Sequence, residues 1–146
     1  MWAFLITLAF TLYMTVMIWS MQILEYPLFA LVGPQEFPAY HTRHNRGLLF
    51  VIVPSILAFV SAVALIVVRP SPIPLWSSIT VAVLDLVIIA YTVAREAPLH
   101  ARLDRGGYSS AVINDLVHGN WVRTLLWTAN ALILLGVTAH IFFAAS

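Results

Sequence analysis

The chemistry open to this chain rests on His41, His44, His100 and His118, on Glu25 and Glu96, and on Asn120 and Arg123. His41 and His44 stand three residues apart and share one face if their segment is helical. Glu96 and His100 stand four apart with Pro98 between them, where a proline can break the helix and spoil the shared face. Neutral imidazole with carboxylate suits zinc, copper or iron, and three or four such ligands arriving from different helices make a site. Four-helix bundles build metal sites from inward-facing Glu and His. The expected ligand set is therefore His41, His44, Glu25, Glu96, His100 and His118, with iron or copper ahead of zinc. The same imidazoles can act as general bases near neutral pH. In that reading His100 and His118 move protons, while Asn120 and Arg123 stabilise an oxyanion by hydrogen bonding and charge. A single histidine near a helix end reads equally well as an interfacial polar residue; the grouping is what points to a shared site.

These residues must be positioned by elements that are almost wholly apolar. Hydrophobic residues make up 62% of the 146 residues and charged residues 9%, against roughly 45–50% and about 25% in soluble domains. That excess exceeds what a soluble core of this size can bury, so the chain is expected to be an integral membrane protein. Four apolar runs, about 2–24, 47–68, 74–93 and 124–145, are long enough to cross roughly 30 Å of hydrocarbon. With no water to satisfy their backbone, such runs must be helices. The predicted fold is all-α, a single transmembrane domain over 1–146 built as a four-helix bundle. Met1 to Leu24 lacks the charged start and cleavage site of a secretory signal and reads as a retained span. Pro54 predicts a kink in the second span, and the short proline-rich link Arg69 to Pro74 predicts a hairpin between the second and third.

The other connections, 25–46 and 94–123, carry nearly all the polar residues and fall on one side. The stretch Arg95 to Trp127 alone holds four of the seven arginines, three of the six acids and two of the five histidines. Arg43, Arg46, Arg95, Arg102, Arg105 and Arg123 stand on that side and only Arg69 on the other. The positive-inside rule then puts the polar connections in the cytoplasm and both termini outside, in a bacterial inner membrane. In the first connection Gly33-Pro34 signals a turn and Pro38 the first turn of a helix. No internal repeat is evident. Asp85, mid-span, must face the bundle and find a partner such as Asn130, a threonine or Tyr13, or serve a proton relay or a substrate. Thr7, Thr11 and Thr15, four apart, suit helix packing. His140, at the opposite end, reads as interfacial. The net charge of +1 gives no reason to expect nucleic acid, and without cysteine there is neither disulfide nor thiolate ligand.

Two segments carry a resemblance. Glu96-Ala-Pro-Leu-His-Ala-Arg-Leu-Asp104 and His118-Gly-Asn-Trp-Val-Arg-Thr124 resemble the pattern of the anthrone oxygenase-like small membrane proteins. There, Pro-Leu and Arg-Leu flank a polar residue after the third span, and a Trp/Asn cluster with Arg-Thr opens the fourth. The likeness covers some thirty residues well and the whole chain loosely. It departs at Glu96 and His100, often asparagine in that family, and in the His41–His44 pair. The resemblance implies a four-span fold and oxidation of a polycyclic phenol by dioxygen, anthrone to anthraquinone.

The expected function is a membrane-embedded oxidoreductase or oxygenase acting on a hydrophobic, aromatic or phenolic small molecule that reaches the site from the lipid. Two alternatives stay open. One is a non-enzymatic binder of metal, haem or a small molecule; the other is an accessory subunit of a membrane complex. The uninterrupted apolar faces permit a homo-oligomer.

Overall fold

Each apolar run folds as a helix that also takes in part of a neighbouring polar stretch. The first and third helices run on past their apolar runs, and the second and fourth begin before theirs. The structure, a computed structural model, describes residues 1–144. Four helices long and apolar enough to cross a membrane account for most of it: α1, Trp2–Phe29; α2, Phe37–Val67; α3, Leu75–Gly106; and α4, Ser110–Phe143. No strand occurs among the described residues. The fold is an all-α four-helix bundle; the expected end of the fourth span at Ala145 lies outside the described residues. The polar stretches read as connections are largely helical, so the true links are short. Hydrophobic side chains such as Phe50, Val67, Leu132 and Phe142 stand exposed on the outside, as a lipid-facing surface requires.

The helices form a ring in which α1 packs on α2 and α4, and α3 packs on the same two. Tyr108, between α3 and α4, donates to the Ala30 carbonyl (3.4 Å) and packs edge-on against Phe37 (5.6 Å). Those contacts bring the links after α1 and α3 together at one end of the bundle, the polar end.

Three prolines shape the site. Pro54 has no N–H to give the Phe50 carbonyl one turn back, and Tyr13 of α1 donates to that carbonyl instead, at 2.9 Å. Pro27 and Pro98 sit at the start of fresh α-helical segments, Tyr26–Phe29 and Ala97–Gly106. Each follows a single π-helical turn, Met21–Glu25 in α1 and Thr92–Glu96 in α3. The wider turn absorbs the clash between a proline ring and the preceding carbonyl, so the helix bulges where it would otherwise break. Pro98 therefore leaves Glu96 and His100 on one continuous helix, both buried. The two turns also expose a correspondence between the halves of the chain. Glu25-Tyr26-Pro27-Leu28 and Glu96-Ala97-Pro98-Leu99 occupy equivalent places, and the same offset pairs Phe29 with His100 and Phe37 with Tyr108.

Mid-span polar groups are matched across helices. Asn130 of α4 donates to Asp85 of α3 at 2.7 Å, in full burial. A carboxylate at the centre of a span costs roughly 2.5–3.5 kcal/mol, which an interhelical hydrogen bond of about 1 kcal/mol offsets only in part. Thr7 and Thr15 bond back to carbonyls of their own helix, and Thr15 also reaches the Trp127 carbonyl of α4 at 3.1 Å.

Candidate functional site

The π-helical turns aim two polar sets at each other below the polar end. From α1 come Gln22, Glu25 and Tyr26; from the first turns of α2, His41, His44 and Asn45; from α3, Glu96, His100 and Asp104; from α4, Asn120, Arg123 and Thr124. Tyr26, His41, Glu96, Asn120 and Thr124 are each at most 1% exposed.

Arg123 is the hub. Its Nη2 donates to Asn120 Oδ1 (2.6 Å), Tyr26 Oη (3.0 Å) and Glu96 Oε2 (3.3 Å). Asn120 passes the order on, donating to Gln22 Oε1 at 2.9 Å, while Gln22 donates to the Val117 carbonyl at 3.2 Å. Glu96 and Arg123 neutralise one another out of water, which makes the pair hard to break from one side alone. Gly119 lets α4 lie against α3 at Glu96 and Arg95. A Cβ there would sit 2.5 Å from Glu96 Oε1 and 2.7 Å from Arg95 Nε.

From Arg123 a hydrogen-bonded line runs to the surface. Tyr26 Oη lies 3.2 Å from His100 Nε2, His100 Nδ1 lies 3.1 Å from His41 Nε2, and His41 Nδ1 lies 2.8 Å from Asp104 Oδ1. The ends fix every donor in it. A carboxylate only accepts, so His41 carries its proton on Nδ1 and presents a lone pair at Nε2. His100 must then donate from Nδ1 and accept at Nε2. Tyr26 donates its hydroxyl proton to that nitrogen and accepts from Arg123, which has only donors. All four bonds point the same way, from Arg123 to Asp104, with both imidazoles neutral. Asp104 is 48% exposed and is held by Asn45 as well, at 2.9 Å.

A cavity of about 290 Å³ lies against this line. Its polar wall is Tyr26, Glu96, His100 and Arg123; its back wall is Met14, Ile18 and Trp127, deeper in the bundle. It is the small, mostly apolar space with a few converging polar groups that a small-molecule ligand takes.

Six of the eight residues singled out from the sequence meet here: His41, His44, His100, Glu96, Asn120 and Arg123. Glu25 joins at the edge through His44, 3.3 Å away. His118 does not join; it is exposed on α4, with Nδ1 on the Asn114 carbonyl at 2.7 Å. No group of three or more His, Asp or Glu side chains among the described residues converges as metal ligands. Both ring nitrogens of His41 and His100 already have protein partners, and of the three rings His44 alone has a nitrogen, Nε2, without one. His41 Nε2 and His100 Nδ1 face each other at 3.1 Å, so a metal held between them would replace their mutual hydrogen bond and leave Asp104 and Tyr26 on the outer ring nitrogens.

Sequence reasoning missed Tyr26, Asp104 and Gln22. Tyr26 was findable, because it is flanked by the same Glu and Pro-Leu that flank Ala97. Gln22 carried no signal apart from being the one amide in an apolar run. Comparison with family models, curated proteins and solved structures finds no match to this chain.

Proposed function

We propose that this protein is a membrane-embedded oxidoreductase that removes a proton from a hydrophobic aromatic or phenolic molecule held in the cavity, readying it for oxidation by dioxygen. The observation that carries the reading is the one-way line of hydrogen bonds from the cavity wall at Tyr26 to exposed Asp104. As the Tyr26 oxygen takes a proton from the substrate, its own proton passes to His100, that of His100 to His41, and that of His41 to Asp104. No imidazolium is left in the buried site, where a lone charge would be costly. Arg123 lies 3.0 Å from the Tyr26 oxygen, and a substrate oxygen hydrogen-bonded beside it would have the negative charge it gains on deprotonation stabilised without reorganisation. For a methylene between two aryl rings the balance is CH₂ + O₂ → C=O + H₂O. Two C–H bonds and the O–O bond break, and both hydrogens leave in water. The resemblance of 96–104 and 118–124 to the anthrone oxygenase-like proteins supports this substrate class. The arginine imbalance supports a cytoplasmic polar end.

The test is oxygen uptake by the purified protein in lipid nanodiscs with anthrone-like phenols, wild type beside Tyr26→Phe, with and without chelator. Uptake by the wild type and its loss in Tyr26→Phe are expected, with chelator making no difference. Uptake indifferent to Tyr26→Phe removes the relay. Uptake that chelator abolishes and iron or copper restores turns the histidines from proton carriers into ligands.

A further inference from the structure

The cavity has a side opening. The α2 segment Leu49–Val67 packs along Leu75–Tyr91 of α3, and Phe37–Gly47 packs against Ala97–Gly106 at the polar end. Between those two contacts, Leu49–Val67 makes next to none with the π-helical turn Thr92–Glu96 or the segment after it. The cavity occupies that gap. Residues at its back, from α1 and α4, are buried; its rim carries Ile52 from α2, 47% exposed, and Ala97 from α3, also exposed. Its polarity is graded. Asn45 and Asp104 stand at the outer end, Tyr26, His100 and Arg123 next, and Met14, Ile88 and Trp127 deepest, toward the middle of the spans. A molecule dissolved in one leaflet has the same gradient and the same orientation.

Resting on the function proposed above, we infer that the gap between α2 and α3 is a lateral portal for a bilayer-dissolved amphiphile with one uncharged, hydrogen-bonding oxygen at its head and an apolar body. The head is uncharged because Arg123 is already balanced by Glu96, and Asp104 adds negative charge at the mouth. A phosphate or carboxylate head would meet no free cation on the polar wall. A phenolic oxygen fits the hydroxyl of Tyr26 and Arg123, whose Nε–H is buried without a protein acceptor. The apolar body lies over Met14, Ile88 and Trp127, and any tail leaves past Ile52 into the lipid instead of having to fold inside about 290 Å³.

Two probes test this: 2-naphthol and 6-decyl-2-naphthol, binding to wild-type protein in phosphatidylcholine nanodiscs with affinity expressed per lipid. A tail that stays in lipid before and after binding contributes nothing, so the two affinities are expected to agree within about threefold. Ile52→Trp/Ala97→Trp, which fills the rim, is expected to weaken the decyl probe by at least about tenfold and 2-naphthol by less than about threefold. A wild type that binds 2-naphthol but rejects the decyl probe has a closed cavity, which overturns the portal and leaves the proposed function standing. Equal weakening of both probes by the rim variant overturns it too. A wild type that binds neither probe removes the phenol site itself, and the portal with it.

Discussion

The two Glu-x-Pro-Leu turns have one backbone and two chemistries. In α1 the turn presents Tyr26 to the site, its glutamate, Glu25, is 34% exposed beside His44, and Phe29 fills the core one turn on. In α3 the equivalent glutamate, Glu96, is 1% exposed and bonded to Arg123, the tyrosine position is Ala97 on the rim, and the phenylalanine position is His100. The shared part, a π-helical turn followed by proline, sets direction. The differing part supplies the buried glutamate, the imidazole and the space beside them. A symmetric pair would have given two phenols facing two phenylalanines, with no path for a proton. What makes the site is the departure from the repeat.

The largest effect should come from removing the α4 partner of the second turn's glutamate. Arg123→Gln takes from buried Glu96 its hydrogen-bonded counter-charge, leaving only Arg95 nearby, and is expected to cost about 3–5 kcal/mol of stability. Adding Glu96→Gln should recover most of that in thermal unfolding in detergent while turnover stays lost. A single variant as stable as wild type would remove Arg123 from its place as hub. Next, His100→Phe gives the second turn the phenylalanine of the first, with Ala97 still in the tyrosine position. The bundle should stay folded, and oxygen uptake should fall by about 10²–10⁴-fold, the usual worth of a positioned acid–base group; unchanged uptake would mean the line of bonds carries nothing. Gly119→Ala presses a methyl onto Glu96 and Arg95, and overpacking of that kind costs about 1–3 kcal/mol. A neutral result in the melting curve would show that α4 can back away from the second turn. The smallest effect belongs to the first turn. Glu25→Gln removes a half-exposed partner of His44 and is expected to cost less than about 1 kcal/mol, with uptake within about twofold of wild type. A loss as large as that of His100→Phe would make the two glutamates equals after all.

The spans, the hairpin at 69–74 and the polar end could be read from the chain because apolar length and proline placement act locally. The sequence narrowed the partner of Asp85 to Asn130, a threonine or Tyr13, and the structure pairs it with Asn130. The site was legible as a set of residue types and not as a set of bonds. Which histidine faces a carboxylate depends on how far Pro27 and Pro98 swing the helix ends, and a proline that can either break or bulge a helix does not announce which. His118 was drawn in by its nearness in sequence to Asn120 and Arg123. Yet a shift of two positions along a helix turns a side chain by about 200°, which puts His118 outside while Asn120 points in.

The line of bonds from Tyr26 to Asp104 has a memory. Once a proton has passed, His100 holds its hydrogen on Nε2 instead of Nδ1, and His41 does the same, so every donor in the line faces backward. A second proton cannot follow until both rings turn over or the tautomers are reset through water at Asp104. Converting a methylene to a carbonyl releases two hydrogens, and the line as built carries one. Under the proposed function the relay is therefore a single-shot device, refractory until rewound, and each turnover would pause for that reset or send its second hydrogen out with the reduced oxygen.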